Sequence, residues 1–217
     1  MRTFIRGLFL MMISLGLFAS NENCSSHSNQ KIEFREFEKV LSVLQGMSES
    51  KVAHTGDITK KSMILLKKKI NRKIAEAKGG PVKINILLNS LGGEIYWSYD
   101  MLKFIKKLNR DPKIVINTEV RNSCESSCTI LFTGGKNRYA SRGARFGFHK
   151  PTLHSAPFHN MTKGEIENMF RKIWVLSVRD VDPKVAIYLN KNEYFKYQQM
   201  KYLGASSLLT GYVTEVR

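Results

Sequence analysis

The feature that most constrains the fold is an alternation of short apolar runs with stretches of helical periodicity. Residues 82–88 and 113–120 are largely apolar and rich in β-branched side chains, which is typical of buried strands. Between them, apolar residues recur at helical spacing over residues 95–108. A further strand-like run covers residues 144–149. This order predicts an α/β fold in which the strands pair largely in parallel.

Helical patterns also precede and follow this central region. Apolar side chains recur at helical spacing over residues 59–78, where a Gly-Gly-Pro sequence ends the pattern. Thr162 and Glu165 have the spacing of a capping box, which predicts a helix that begins near Thr162. The chain has 217 residues, enough for one domain with its own core. We expect that α/β domain over residues 51–217.

The N-terminus predicts the compartment. Arg2 and Arg6 precede an uncharged apolar stretch that is shorter than the ~20 residues needed to cross a bilayer as a helix. We therefore expect a signal peptide over residues 1–20 and an exported protein of the periplasm or cell envelope. Phe18 lies where a cleavage site prefers a small residue, so an uncleaved anchor over residues 4–19 is the alternative.

A polar leader and a helix are expected over residues 21–50, between the signal and the domain. The net charge of the whole chain is +17, an excess that favours anionic partners such as phospholipid head groups, cell-wall polymers and acidic substrates. A membrane surface is therefore a candidate partner, whereas export argues against nucleic acid. The lysines are spread along predicted helices, which is also typical of solvated helix faces.

Candidate chemical groups lie where the predicted strands end, the usual place for sites in open α/β folds. Gly92 and Gly93 follow one strand and can direct backbone N–H groups at an oxyanion. Ser126 follows a second strand. His149 ends a third and can accept the serine proton during attack on a carbonyl. Together these residues predict a serine hydrolase.

Each of these residues also has a purely structural interpretation. Ser126 or Ser127 can cap a short helix that includes residues 130–132. His149 can be a structural imidazole, and a glycine pair after a strand is common in tight turns. The residue pattern alone leaves these alternatives open.

Two cysteines, Cys124 and Cys128, flank Ser126. In an oxidising compartment they are candidates for a disulfide, which leaves Cys24 over. Two buried thiols are the alternative. Because no second Cys or His pair lies at the spacing of a zinc site, we expect no metal, and nothing in the sequence calls for a cofactor.

These motifs resemble those of the Clp protease proteolytic subunit and its exported Clp-like relatives, over about residues 56–204. The family has an Asn-Ser-Pro-Gly-Gly loop, and here Leu91 replaces the proline. The family has His-Gln-Pro where this chain has His-Lys-Pro, with Lys150 in place of glutamine. The resemblance implies a ClpP/crotonase-like fold with repeated β-β-α units and a largely parallel sheet.

The resemblance also implies roles for the candidate residues. Ser126 matches the nucleophile of a serine peptidase, and His149 matches its general base. The backbone amides of Gly92, Gly93 and Ser127 match the oxyanion hole. The implied substrate is a peptide or a protein.

The third member of the implied triad departs from the family pattern. A helix expected over residues 197–204 places Asn192 at the position of the acid, with Glu193 beside it. An asparagine can orient a histidine but cannot stabilise its cation as a carboxylate does. Glu193, Asp180 or Asp182 can supply a carboxylate only if the loop expected around them folds differently.

Two functions are consistent with these observations. The first is an exported Clp-like serine hydrolase that cleaves peptide bonds. The alternative is a catalytically weak or inactive Clp-fold protein that binds or scaffolds at the cell envelope. Crotonase-type enzymes share the implied fold, but their acyl-CoA substrates are intracellular, which argues against them for an exported chain.

Finally, the resemblance implies a homo-oligomer. Clp-like subunits stack through a helix that follows the histidine strand, and residues 162–177 are the candidate helix. Its expected interface side chains are Met169, Phe170, Ile173 and Trp174. The alternative is that this face packs against the sheet of its own chain.

Overall fold

The computed structural model describes residues 46–151, 161–208 and 211–217. The expected signal or anchor, most of the expected leader, and Cys24 lie outside these residues. In chain order the described elements are β1 (Ser48–Thr55), α1 (Lys60–Glu76), β2 (Val82–Ser90), α2 (Ile95–Leu108), β3 (Ile114–Glu125), α3 (Cys128–Phe132), β4 (Arg138–Ala140), β5 (Arg145–Phe148), α4 (Lys163–Arg179), α5 (Pro183–Lys191), β6 (Lys201–Gly204), a 3-10 helix (Ala205–Leu208) and β7 (Glu215–Val216).

One sheet organises the domain. Its strand order is β1-β2-β3-β4-β7, and all of these neighbours pair in parallel. β5 pairs in parallel with the end of β3, and β6 pairs antiparallel with β5. Helices α1 and α2 are the crossovers that parallel neighbours require. The predicted α/β fold with a largely parallel sheet is confirmed.

The core lies between this sheet and the helices. α1 begins at Thr59, whose side chain accepts a hydrogen bond from the Ser62 N–H, while the Ser62 hydroxyl accepts one from the Thr59 N–H. Each large apolar side chain that is fully buried contributes about 1.5–3 kcal/mol, so packing of the helix faces on the strands is the main source of stability. The buried residues of α1, β2 and β3 include Met63, Leu66, Ile70, Ile84, Ile86, Leu88, Ile116 and Val120.

Helix α4 begins at the predicted capping box, where Thr162 and Glu165 each accept a hydrogen bond from the backbone of the other. Trp174, expected at a subunit interface, is instead fully buried within its own chain. Its indole Nε1 donates to Thr129 Oγ1 at 2.7 Å. The interface prediction for Trp174 is therefore wrong, because this side chain fills the domain core.

Two other expectations for the C-terminal third of the domain are wrong. The segment expected as a loop contains α5, which begins where Asp182 accepts hydrogen bonds from the N–H groups of Lys184 and Val185. Residues 197–204 do not form a helix, since they contain β6. β3 pairs with one edge of β5, and β6 pairs with the other edge. This pairing satisfies backbone N–H and C=O groups of β5 that a helix over residues 197–204 would leave without partners.

Strands β1 and β3 also differ from the sequence pattern. β3 continues five residues past the predicted end, to Glu125, because β5 pairs with residues 123–125 after β4 has paired with residues 118–120. β1 carries little apolar signal, as only Val52 and His54 are buried along it. No helix within the described residues is long and apolar enough to span a membrane.

Candidate active site

Ser126 lies at a sharp turn between β3 and α3. Glu125 pairs with Gly147 of β5, and the Ser126 N–H donates to the Gly147 carbonyl at 2.8 Å. Immediately after the strand, Ser126 adopts φ = 52°, a left-handed conformation that is costly for a residue with a side chain. Strain of this kind is common where a side chain must be presented for function.

The hydroxyl of Ser126 does not cap the helix that follows it. The residue at the N-cap position of α3 is Ser127, and its side chain makes no capping hydrogen bond either. Instead, Ser126 Oγ lies 2.7 Å from His149 Nε2. The structure thus brings together the serine and the histidine that the sequence singles out.

Register explains why these two side chains meet. β3 and β5 are parallel neighbours, and their last paired residues are Glu125 and Gly147. Ser126 and His149 follow directly at the carboxyl ends of the two strands, so they emerge at the same edge of the sheet. The ring of His149 also packs edge-on against Trp174, with centroids 5.9 Å apart.

A disulfide between Cys124 and Cys128 closes the turn around Ser126. Cys124 is part of β3 and Cys128 is the first residue of α3, and both are fully buried. The bond therefore ties the end of the strand to the start of the helix, on either side of the strained residue.

Among the described residues, no cluster of His, Cys, Asp or Glu is arranged to hold a metal ion.

Burial controls the protonation of His149. It lowers the pKa of the imidazole, while a backbone hydrogen bond with Lys150 and the charge of Glu125 act in the opposite direction. The net shift is downward from 6.5. A neutral imidazole near pH 7 can accept the proton of a serine hydroxyl, which is the property required of a general base.

The glycine loop after β2 packs directly against Ser126. Gly92 has φ = 104°, and a Cβ at this position would lie 2.6 Å from the Cβ of Ser126. Gly93 has φ = 139°, and a Cβ there would clash with the backbone of Ile58. Both positions therefore require glycine, for conformation as well as for space.

The backbone amides near Ser126 differ in whether their N–H groups are free to bind an oxyanion. The Gly92 N–H donates to Ser90 Oγ at 3.0 Å, so it is already engaged. Within the described part of the chain, neither the Gly93 N–H nor the Ser127 N–H donates a hydrogen bond. These two amides are the better candidates for binding an oxyanion, and Gly92 chiefly provides room for Ser126.

The side chains of the expected third members of the triad bond to groups other than His149. The side chain of Asn192 donates to the Tyr188 carbonyl at 2.9 Å, at the C-terminus of α5. Glu193 pairs with Lys196 at 2.8 Å on the exposed surface. Neither residue makes a hydrogen bond or ion pair with His149, because the segment that carries them joins α5 to a strand and not to the expected helix.

The two aspartates considered as substitutes have structural roles. Asp180 pairs with Lys106 at 3.0 Å. Asp182 caps α5 and also accepts from the Tyr212 N–H at 3.2 Å. Across residues 46–151, 161–208 and 211–217, no hydrogen bond or ion pair joins His149 to a carboxylate.

One acidic residue near the site is absent from the predicted set. Glu125 immediately precedes Ser126 and is 5% exposed. Its carboxylate accepts hydrogen bonds from the hydroxyls of Ser123 at 2.6 Å and Tyr202 at 3.3 Å, and it lies 3.3 Å from Arg145 Nη2. The sequence feature that could have indicated Glu125 is its position between two cysteines and beside the candidate nucleophile. A carboxylate is unusual in a buried strand.

The parallel sheet, its crossover helices and the serine–histidine pair at the strand ends define a ClpP-like α/β fold. Among solved structures, the chain is similar to a mutant of ClpP1 from Listeria monocytogenes, with a TM-score of 0.61 and 14% sequence identity. The match covers 83% of this chain and 94% of that chain. No protein-family model and no curated protein sequence matches. At this identity the similarity establishes the fold alone.

Proposed function

We propose that this chain is a serine hydrolase that cleaves peptide bonds, with Ser126 as nucleophile and His149 as general base. The observation that carries the proposal is the 2.7 Å separation between Ser126 Oγ and His149 Nε2 at the carboxyl ends of adjacent strands. Left-handed backbone at Ser126 and the closely packed Gly92 support it. The ClpP-like fold is consistent with it.

The proposed reaction follows from these positions. Neutral His149 accepts the Ser126 proton at Nε2 as Oγ forms a bond to the substrate carbonyl carbon. The carbonyl oxygen becomes an oxyanion, which the amides of Gly93 and Ser127 stabilise. His149 then returns its proton to the leaving amine nitrogen as the peptide bond breaks. Water, activated by the same imidazole, hydrolyses the acyl-enzyme ester and restores Ser126.

Export to the periplasm or cell envelope remains part of the proposal. The Cys124–Cys128 disulfide supports it, because structural disulfides persist in oxidising compartments. The high positive charge supports a location near anionic surfaces.

We further propose a homo-oligomer, for which the exposed side chains of α4 and α5 are available, including Leu176 and Ile187.

A second candidate function is a catalytically weak or inactive binding protein of the same fold. The observation that favours it is the lack, among the described residues, of a carboxylate bonded to His149. Such a protein would retain the Ser126–His149 hydrogen bond but would not form a covalent adduct at a useful rate.

Labelling by a fluorophosphonate separates the two functions. We expect the folded wild-type protein to be labelled and Ser126→Ala to be inert. Ser127→Ala is the matched control, because its buried hydroxyl has no hydrogen-bond partner among the described residues and its backbone N–H is retained. A folded wild-type protein that stays unlabelled would reject the hydrolase and favour the binding protein.

A further inference from the structure

We propose that Glu125 is the carboxylate that stabilises the protonated form of His149, acting through space from the residue next to the nucleophile. This inference rests on the proposed function, because the imidazolium forms when His149 takes the serine proton. In this role Glu125 is a positioning and charge-stabilising residue, since it touches neither the substrate nor the reacting atoms. Like the acid of a catalytic triad, it supplies a negative charge that stabilises the imidazolium, but it makes no direct hydrogen bond to the ring.

The first argument is the path of the Glu125 side chain. Glu125 pairs with Gly147 on β5, and a Cβ added at Gly147 would lie 3.0 Å from Glu125 Cγ. The side chain therefore crosses β5 over Gly147. Gly147 lies two residues before His149, and Ser126, whose Oγ lies 2.7 Å from His149 Nε2, directly follows Glu125. The Glu125 side chain is therefore held between the two segments that position His149.

The second argument is that the carboxylate is held in place and shielded from water. The Ser123 hydroxyl donates to one of its oxygens at 2.6 Å and the Tyr202 hydroxyl to the other at 3.3 Å. The side chain of Glu125 is 7% exposed. A fixed charge at low exposure is screened less than a surface charge, so its effect reaches neighbours beyond hydrogen-bonding distance.

The third argument is the set of charged and titratable groups around His149. Glu125 raises the pKa of its imidazole, against the effect of burial. Arg145, on β5, pairs with Glu125 from the solvent side with 59% of its side chain exposed, and so offsets part of that charge. Lys150 follows His149 and is itself paired with Glu167 of α4 at 2.8 Å.

Strand β6 contributes two further titratable groups. Lys201 is paired in register with Phe148, and its Nζ donates to the Asn192 carbonyl at 3.1 Å. The Tyr202 hydroxyl donates a hydrogen bond to Glu125. Burial first, and then the charge of Glu125, raise the pKa of that phenol. The tyrosine is therefore neutral at physiological pH and does not oppose the carboxylate. Glu125 is the buried anion of this cluster.

The chain offers a matched control in Glu119. It lies on the same strand, is 9% exposed and pairs with Arg121 at 2.8 Å. Glu119 lies six positions before Glu125, which corresponds to about 20 Å at the usual rise of a strand. Glu119→Gln therefore removes an equally buried, arginine-paired carboxylate that is remote from His149.

The test is an NMR titration of isotopically labelled histidine in the full chain, with the His149 signal assigned by its loss in His149→Gln. We expect Glu125→Gln to lower the pKa of His149 by roughly one unit. Glu119→Gln should leave it unchanged. An unchanged His149 pKa in folded Glu125→Gln overturns the proposal, as does an equal shift in both variants.

A second variant keeps the test decisive if Glu125→Gln does not fold. Arg145→Gln removes the cation that offsets Glu125, so the pKa of His149 should rise. No rise would overturn the proposal.

The pH dependence of fluorophosphonate labelling connects the titration to catalysis. In Glu125→Gln, the acidic limb of the rate should move to lower pH and the plateau should fall about tenfold, because the imidazolium is less stable. Glu119→Gln should match the wild type. A shifted titration without any wild-type labelling would reject the hydrolase alone, whereas labelling without a shifted titration would reject the role of Glu125.

Discussion

The side of the site that carries Ser126 and the side that carries Asn192 and Glu193 are built differently. Ser126 and His149 are fixed by main-chain pairing of β3 with β5, and a buried disulfide closes the turn between strand and helix. Asn192 and Glu193 lie on an exposed segment, where their side chains bond to neighbours four and three residues away. Backbone hydrogen bonds and a disulfide hold the first region, whereas local surface contacts hold the second.

This difference shows where a useful charge can be placed. An exposed carboxylate is screened by water and contributes little to a buried imidazole. A carboxylate within the sheet keeps most of its field, and Glu125 is such a residue. In the proposed mechanism, the Ser126 side of the site therefore supplies the nucleophile, the base and the charge that stabilises the base.

The largest effect should come from disturbing the packing around Ser126. Gly92→Ala introduces a Cβ 2.6 Å from the Cβ of Ser126 at a residue with φ = 104°. We expect fluorophosphonate labelling to fall about 100-fold, since displacement of about 1 Å has that effect on an oriented reaction. Gly143→Ala is the control, as no atom of the described residues lies within 4 Å of the added methyl group. Equal rates in the two variants would show that the loop does not position Ser126.

The next largest effect should come from opening the disulfide. Replacing both Cys124 and Cys128 by alanine removes the link across the turn, and we expect a loss of about 2 kcal/mol in unfolding free energy for so short a loop. Labelling should also slow, because Ser126 can relax from its left-handed conformation. Urea unfolding and labelling rates measure the two effects. A variant that loses stability but labels at the wild-type rate would contradict a role for the disulfide in positioning.

Acid should weaken the fold through buried histidines. Burial lowers the pKa of both His54 and His149 below 6.5, so the unfolded chain binds protons more readily than the folded one. The free energy of unfolding is therefore not reduced by these histidines above pH 6.5. It decreases as the pH falls from 6.5 towards the pKa values that the two histidines have in the folded protein. We expect urea unfolding to give a lower free energy at pH 5.5 than at pH 7.5. In His54→Leu that difference should shrink, and an unchanged difference would contradict the assignment to His54.

The smallest effect should come from the exposed segment. Asn192→Ala and Glu193→Gln should change the labelling rate by no more than about twofold, as is usual for surface substitutions. The measurement is the same rate used for Glu125→Gln. A tenfold loss in Asn192→Ala would return the orienting role to that residue and remove the contrast between the two sides of the site.

The sequence predicts the α/β fold and the serine–histidine pair for a physical reason. Apolar periodicity marks the central strands, and parallel order brings their carboxyl ends together. Strand order therefore predicts that Ser126 and His149 lie at the same edge of the sheet, and the family resemblance adds their roles. The pairing of β6 with β5 is not encoded locally. The family resemblance instead implies a helix over residues 197–204, and only that helix places Asn192 at the position of the acid. Glu125 escapes notice because its importance depends on where the side chain crosses Gly147.

The most direct measurement of the central claim is the rate of fluorophosphonate addition as a function of pH, with the adduct located by mass spectrometry. The account predicts an adduct on Ser126 and a rate that rises through a single titration below pH 6.5, the usual value for histidine, to a plateau near neutrality. The rate should collapse in His149→Gln. An adduct on another residue, or a rate that His149→Gln leaves unchanged, would contradict it.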